Sequence, residues 1–120
     1  MRAAMPARAR MQAEEPRKLL VFSRSWGYKH TARPYGAKAI EIMGCQTDAF
    51  EAVLAEEDDS LFEPENLRDF DAVVLNNTNE EIFLPEDFAK LPEDRQAKAR
   101  QRDELLKRSL ADFIRVGGGL

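Results

Sequence analysis

Two short stretches of the chain are apolar without interruption, "LLVF" from Leu19 to Phe22 and "AVVL" from Ala72 to Leu75, each bounded by polar residues. A strand with one wet face alternates. Unbroken runs of this length predict strands covered on both faces, as in a parallel sheet packed between helices. Between the two runs, Ala37, Ile40 and Met43 make an apolar stripe at helical spacing. Pro34 suits a first turn and Gly44 a stop, which predicts a helix over 32–43. The segment "CQTDAFEAVLAEEDD" has two readings. Phe50, Val53 and Leu54 can line a short helix, or Thr47 to Val53 can form a second strand, the reading an α/β chain favours. "SLFEPENLRDF" reads as a turn and a short helical piece leading into the strand at Ala72.

The strongest helical pattern comes last. Pro92, Glu93 and Asp94 suit a first turn, and Leu106, Leu110, Phe113 and Ile114 fall on one face. Gly117 opens a "GGG" stop of the kind a left-handed cap prefers. The resulting order predicts an α/β fold with three layers, a parallel sheet between helices, in flavodoxin-like strand order 2-1-3. A glycine run of this kind precedes the next strand. Residues 18–120 therefore read as the N-terminal part of a domain that continues, cut after its third strand or at the start of its fourth. Residues 1–17 read as a flexible basic tail. The sheet edge left open is a place where a second copy can pair.

That strand order also says where chemistry belongs. Ligands of open parallel sheets bind beyond the carboxyl ends of the strands, where the order reverses. The loops leaving the first and third strands are "SRSWGYKHT" and "NNTN", so two polar loops are expected to face one another across a crevice. Ser23, Asn76, Asn77 and Thr78 offer groups that donate and accept hydrogen bonds, which suits a polyhydroxylated ligand. Trp26 or Tyr28 can stack on a sugar face, with Gly27 between them. Lys29 or Arg24 can hold an anion, and His30, the only histidine, can transfer a proton near neutral pH. Each has a plainer reading. "NNTN" can be a strand-ending turn, His30 or Thr31 a helix cap, and Trp26 a packing residue under the loop. No set of residues here completes a catalytic constellation or a metal site, and none names a cofactor.

Charge narrows the partners. The chain has net charge −4, but residues 1–18 hold five Lys/Arg against two Glu, leaving the remainder at −7. An acidic body does not make a nucleic-acid surface. No apolar run reaches the length of about 18 residues that a membrane span needs. The lone cysteine, Cys45, excludes an internal disulfide framework and fits a reducing, cytoplasmic setting.

Three segments taken in order, "KLLVFSRSWGYKHT", "LFEPENLRDFDAVVLNNTNE" and "LADFIRVGGGL", resemble the trehalose-utilisation (ThuA-like) family of the class I glutamine amidotransferase-like superfamily. The resemblance covers residues 18–120. It implies a flavodoxin-like α/β fold and a role in carbohydrate metabolism, with a disaccharide or related sugar as the small-molecule partner. It carries Gly27, Tyr28, Lys29, His30, Asn76, Asn77 and Thr78 over as site residues. In the family the chain continues past the glycine run into a strand bearing a histidine that faces the same crevice. Other readings are a non-catalytic or truncated piece of such a domain, an amidotransferase-like hydrolase with its catalytic residues beyond 120, and a mononucleotide binder using the first loop.

Overall fold

The computed structural model describes residues 1–120. Its strands and helices are β1 (Lys18–Phe22), α1 (Arg33–Thr47), β2 (Glu51–Ala55), α2 (Pro64–Leu67), β3 (Ala72–Leu75) and α3 (Glu93–Arg115). Short 3-10 turns occupy Arg2–Ala4, Asp59–Phe62 and Phe88–Lys90. The strands form one parallel sheet in the order β2-β1-β3, with β1 at the centre. The chain is an α/β protein, as its apolar runs predict.

Register explains the layering. Leu20 lies between Val53 and Val73, and Phe22 between Ala55 and Leu75, so these six side chains share one face. That face meets Leu106 of α3 together with Phe62, Leu67, Phe70 and Phe83 in one apolar cluster. Phe62 joins Phe22 and Phe83 edge-to-face, each at 4.9 Å between ring centres. The other face carries Val21, fully buried, and α1 lies on that side, with Ile42 and Cys45 near Ala52. Coverage of both faces is complete only at β1: Leu54 of β2 is 41% exposed.

Three expectations need correction. Gly44 does not stop α1; the helix runs on to Thr47 and ends at Asp48 in the left-handed region. Gly44 is glycine because β2 approaches there, and an added Cβ would sit 2.5 Å from the Phe50 carbonyl oxygen. Cys45 consequently lies within the helix, and the second strand begins at Glu51 rather than Thr47. On α3, Ile114 is 40% exposed; Asp103, Leu106 and Ser109 are the buried positions, with Leu110 and Phe113 packed against the cluster.

After α3, Gly117 at φ +109° turns the chain back to the sheet. Gly119 then pairs in parallel with Ala72 on the outer side of β3. The Val73 N–H donates to the Gly119 oxygen at 2.9 Å, and the Gly119 N–H to the Asp71 oxygen at 3.0 Å. Asp71 also clips the start of β1. Its carboxylate accepts from the Lys18 N–H at 2.8 Å and from Arg17 at 2.9 Å. Those bonds, the Lys18 N–H foremost, hold the Asp71 pKa below the ordinary carboxylate value. The N-terminal segment meets α1, where Gln46 donates to the carbonyls of Met5 and Pro6 at 3.3 and 3.2 Å. No helix is long and apolar enough to cross a membrane.

Candidate ligand site at the carboxyl ends of the strands

The loops that leave β1 and β3 are neighbours. Ser25 and Asn79 form a parallel bridge, and the Asn79 amide donates to the Tyr28 carbonyl at 3.2 Å. Below that bridge the contact is tighter. Asn76 Nδ2 donates to Ser23 Oγ and to the Arg33 carbonyl, both at 2.9 Å, while its Oδ1 accepts from Asn77 at 3.0 Å. Ser23 and Asn76 are 2% and 7% exposed, so they form a satisfied floor rather than an open wall. Gly36, in the first turn of α1, makes the floor possible: a Cβ there would stand 2.7 Å from Asn76 Oδ1.

The exposed residues of the two loops above this floor are Gly27, Tyr28, Lys29, His30 and Thr31 on the first and Asn77 on the second, with Thr78 half-buried. Gly27 takes φ +68°, which only glycine adopts without strain, and lets the loop fold over. Tyr28 is 69% exposed, and its ring meets His30 edge-on at 4.8 Å. Asn77 and Glu80 both occupy the left-handed region, at φ 52° and 60°, so the asparagine loop is a doubly kinked turn. The structure thus sets Tyr28 against His30 on the first loop and ties that loop to the second through Asn79, with Ser23 and Asn76 beneath.

Trp26 goes elsewhere. Its Nε1 donates to the Leu84 carbonyl at 2.9 Å, and the indole lines a cavity of about 340 Å³ with Phe83, Asp59, Ala99 and Arg102. None of Gly27, Tyr28, Lys29 or His30 lines that cavity. Arg24, considered above for anion binding, is committed to the fold instead. It is 8% exposed and donates to the carbonyls of Glu56, Glu57 and Ile82 and to Asp59 Oδ2. Its guanidinium also stacks on the rings of Phe22 and Trp26, at 5.3 and 5.2 Å. Asp59 Oδ1 accepts from Arg102 at 2.8 Å, and Arg102 reaches Glu63 at 2.8 Å. These two acceptors, Asp59 first, raise the Arg102 pKa above the ordinary guanidinium value. The carboxylate of Asp59 therefore ties the exit of β1 to α3.

Sequence reading did not single out Arg33, Gly36, Asp59 or Arg102. Arg33 Nη1 donates to Ser25 Oγ at 3.1 Å and Nη2 lies 3.6 Å from Glu56, while its Nε is buried without an acceptor. Only Pro34 and the glycines mark this region in the sequence, and they mark backbone shape, not pairing. His30 makes no side-chain hydrogen bond; its carbonyl accepts from the Arg33 N–H at 3.1 Å. No three His, Cys, Asp or Glu side chains converge in a metal-binding arrangement. Comparison with protein-family models, curated proteins and solved structures gives no match.

Proposed function

We propose that this chain is a flavodoxin-like domain of the ThuA type that binds an uncharged sugar, a disaccharide or a relative of one, at the carboxyl ends of β1 and β3. The observation that carries the reading is the rim itself. An exposed tyrosine and the sole histidine stand in edge contact beside asparagine amides, on a loop pair locked from below by Asn76. Tyrosine supplies a flat apolar face, and amides supply both donors and acceptors, the combination that hydroxylated rings use. With no acid or base bonded to His30, the reading is of binding; turnover needs a further group brought to the same rim.

The test is calorimetric titration of the full chain with trehalose, maltose and glucose. Tyr28→Ala and His30→Ala are expected to weaken binding about tenfold each, the scale of one lost ring contact or hydrogen bond. Unchanged affinity in both variants rejects the rim as the site. A second reading rests on Arg33, whose buried Nε lacks an acceptor close to the first turn of α1. That group and the helix N-terminus suit a phosphate. Saturable heat with inorganic phosphate, and none with sugars, would favour it.

A further inference from the structure

The cavity behind Trp26 is separate from the rim. It opens between the β1 exit, the segment after β3 and α3, and of its walls only Trp26 figures among the sugar-stacking candidates of the sequence. Trp26 is held in place by its bond to the Leu84 carbonyl and by Arg24 against its ring. Phe83, 5% exposed, continues the apolar wall. The polar groups are Arg24, Arg102, Asp59 and Glu86, two cations and two anions. Asp59 lies between the two guanidiniums, at 3.1 and 2.8 Å. An anionic ligand finds no uncompensated cation there, since Asp59 already pairs with both guanidiniums, and would have to break an existing pair. An uncharged ring with hydroxyl groups meets what it needs. It has a rigid aromatic wall, guanidinium donors on Arg102 and carboxylate acceptors on Glu86, whose side chain has no partner in the fold.

Size points the same way. A volume of about 340 Å³ is at the small end of the range of roughly 300–1,000 Å³ typical of ligand pockets. From this we infer that the Trp26 cavity is a second carbohydrate subsite, taking one uncharged pyranose-type ring against the indole. The inference rests on the sugar reading but places a ring away from the proposed rim, with Ala99, Arg102 and Glu86 as its new determinants.

Trp26 is the only tryptophan and lines this cavity, so its emission responds to a ring bound there. The full chain is titrated with glucose and trehalose while heat and Trp26 fluorescence are followed together. The expected result is an emission change that saturates with the heat. Ala99→Leu, which fills the cavity on a helix that tolerates leucine, should weaken binding at least tenfold, and Ala99→Ser should leave it within twofold. Heat without any emission change, and unaltered by Ala99→Leu, overturns the cavity subsite while the rim stands. No heat with either sugar overturns both. An emission change that saturates equally with sodium phosphate or choline overturns the requirement for an uncharged ligand.

Discussion

At the scale of single residues, the two glycines inside α1 show how a small side chain can be mistaken for punctuation. Gly44 reads as a stop, yet the helix passes through it because the Phe50 carbonyl leaves no room for a Cβ. Gly36 attracts no notice in the sequence, yet the Asn76 amide occupies the space its side chain would fill. Replacing a helical glycine by alanine ordinarily adds about 1 kcal/mol of stability through propensity. Here the added methyl would push Asn76 away from Ser23 and the Arg33 carbonyl. Two hydrogen bonds at about 1 kcal/mol each would be lost and buried polar atoms left unsatisfied at about 1–3 kcal/mol. The second effect wins. Gly36→Ala is expected to lower the urea midpoint by the equivalent of about 2–4 kcal/mol, and a raised midpoint would contradict the packing of Asn76 described above.

At the scale of elements, what the hydrophobic pattern predicted best were the two uninterrupted runs and the last helix. β1 and β3 occupy 18–22 and 72–75, and α3 begins immediately after Pro92. The boundary around Thr47 was not legible, because β2 is short and half-covered and so lacks a continuous apolar signature. Ile114 follows the periodicity of α3 but stays 40% exposed, while its neighbour Phe113 takes the place against the core cluster. The Asp71 clip joining the starts of β1 and β3 was also invisible, since a lone aspartate before a strand says nothing of what it accepts. Its pKa lies below the ordinary 3.8, so its stabilising bonds are fully present above that pH and are lost as pH falls through the depressed value. Asp71→Asn should therefore reduce stability at pH 7. The gap between variant and parent should narrow as pH falls through the depressed value and the parent carboxylate becomes neutral like the amide. Urea melts at pH 7 and at a series of acid pH values check this, and a gap that persists undiminished in acid would remove the electrostatic account.

At the scale of the whole molecule, the strand order and the meeting of the two polar loops followed from general topology, and the structure has both. The ionic chain Arg24–Asp59–Arg102–Glu63 did not follow. Its links join residues 35, 43 and 39 positions apart, and charges at such separations look like ordinary solvated surface in a sequence. Only 19 of 120 residues are buried, which gives each long-range tie a large share in holding the layers together. The Asp59 junction has a kinetic consequence. Its partners meet only after loops of those lengths have closed, a late event on the way to the native state. Interactions absent from the folding transition state act on the escape rate alone. Arg24→Met, which leaves the carbonyls of Glu56, Glu57 and Ile82 without their donor at about 1–3 kcal/mol each, should speed the loss of native protein in a chevron by more than a hundredfold. The refolding limb should barely move. The carboxylate of Asp59 would then act as a latch, setting how long the native state lasts and not how quickly it is reached.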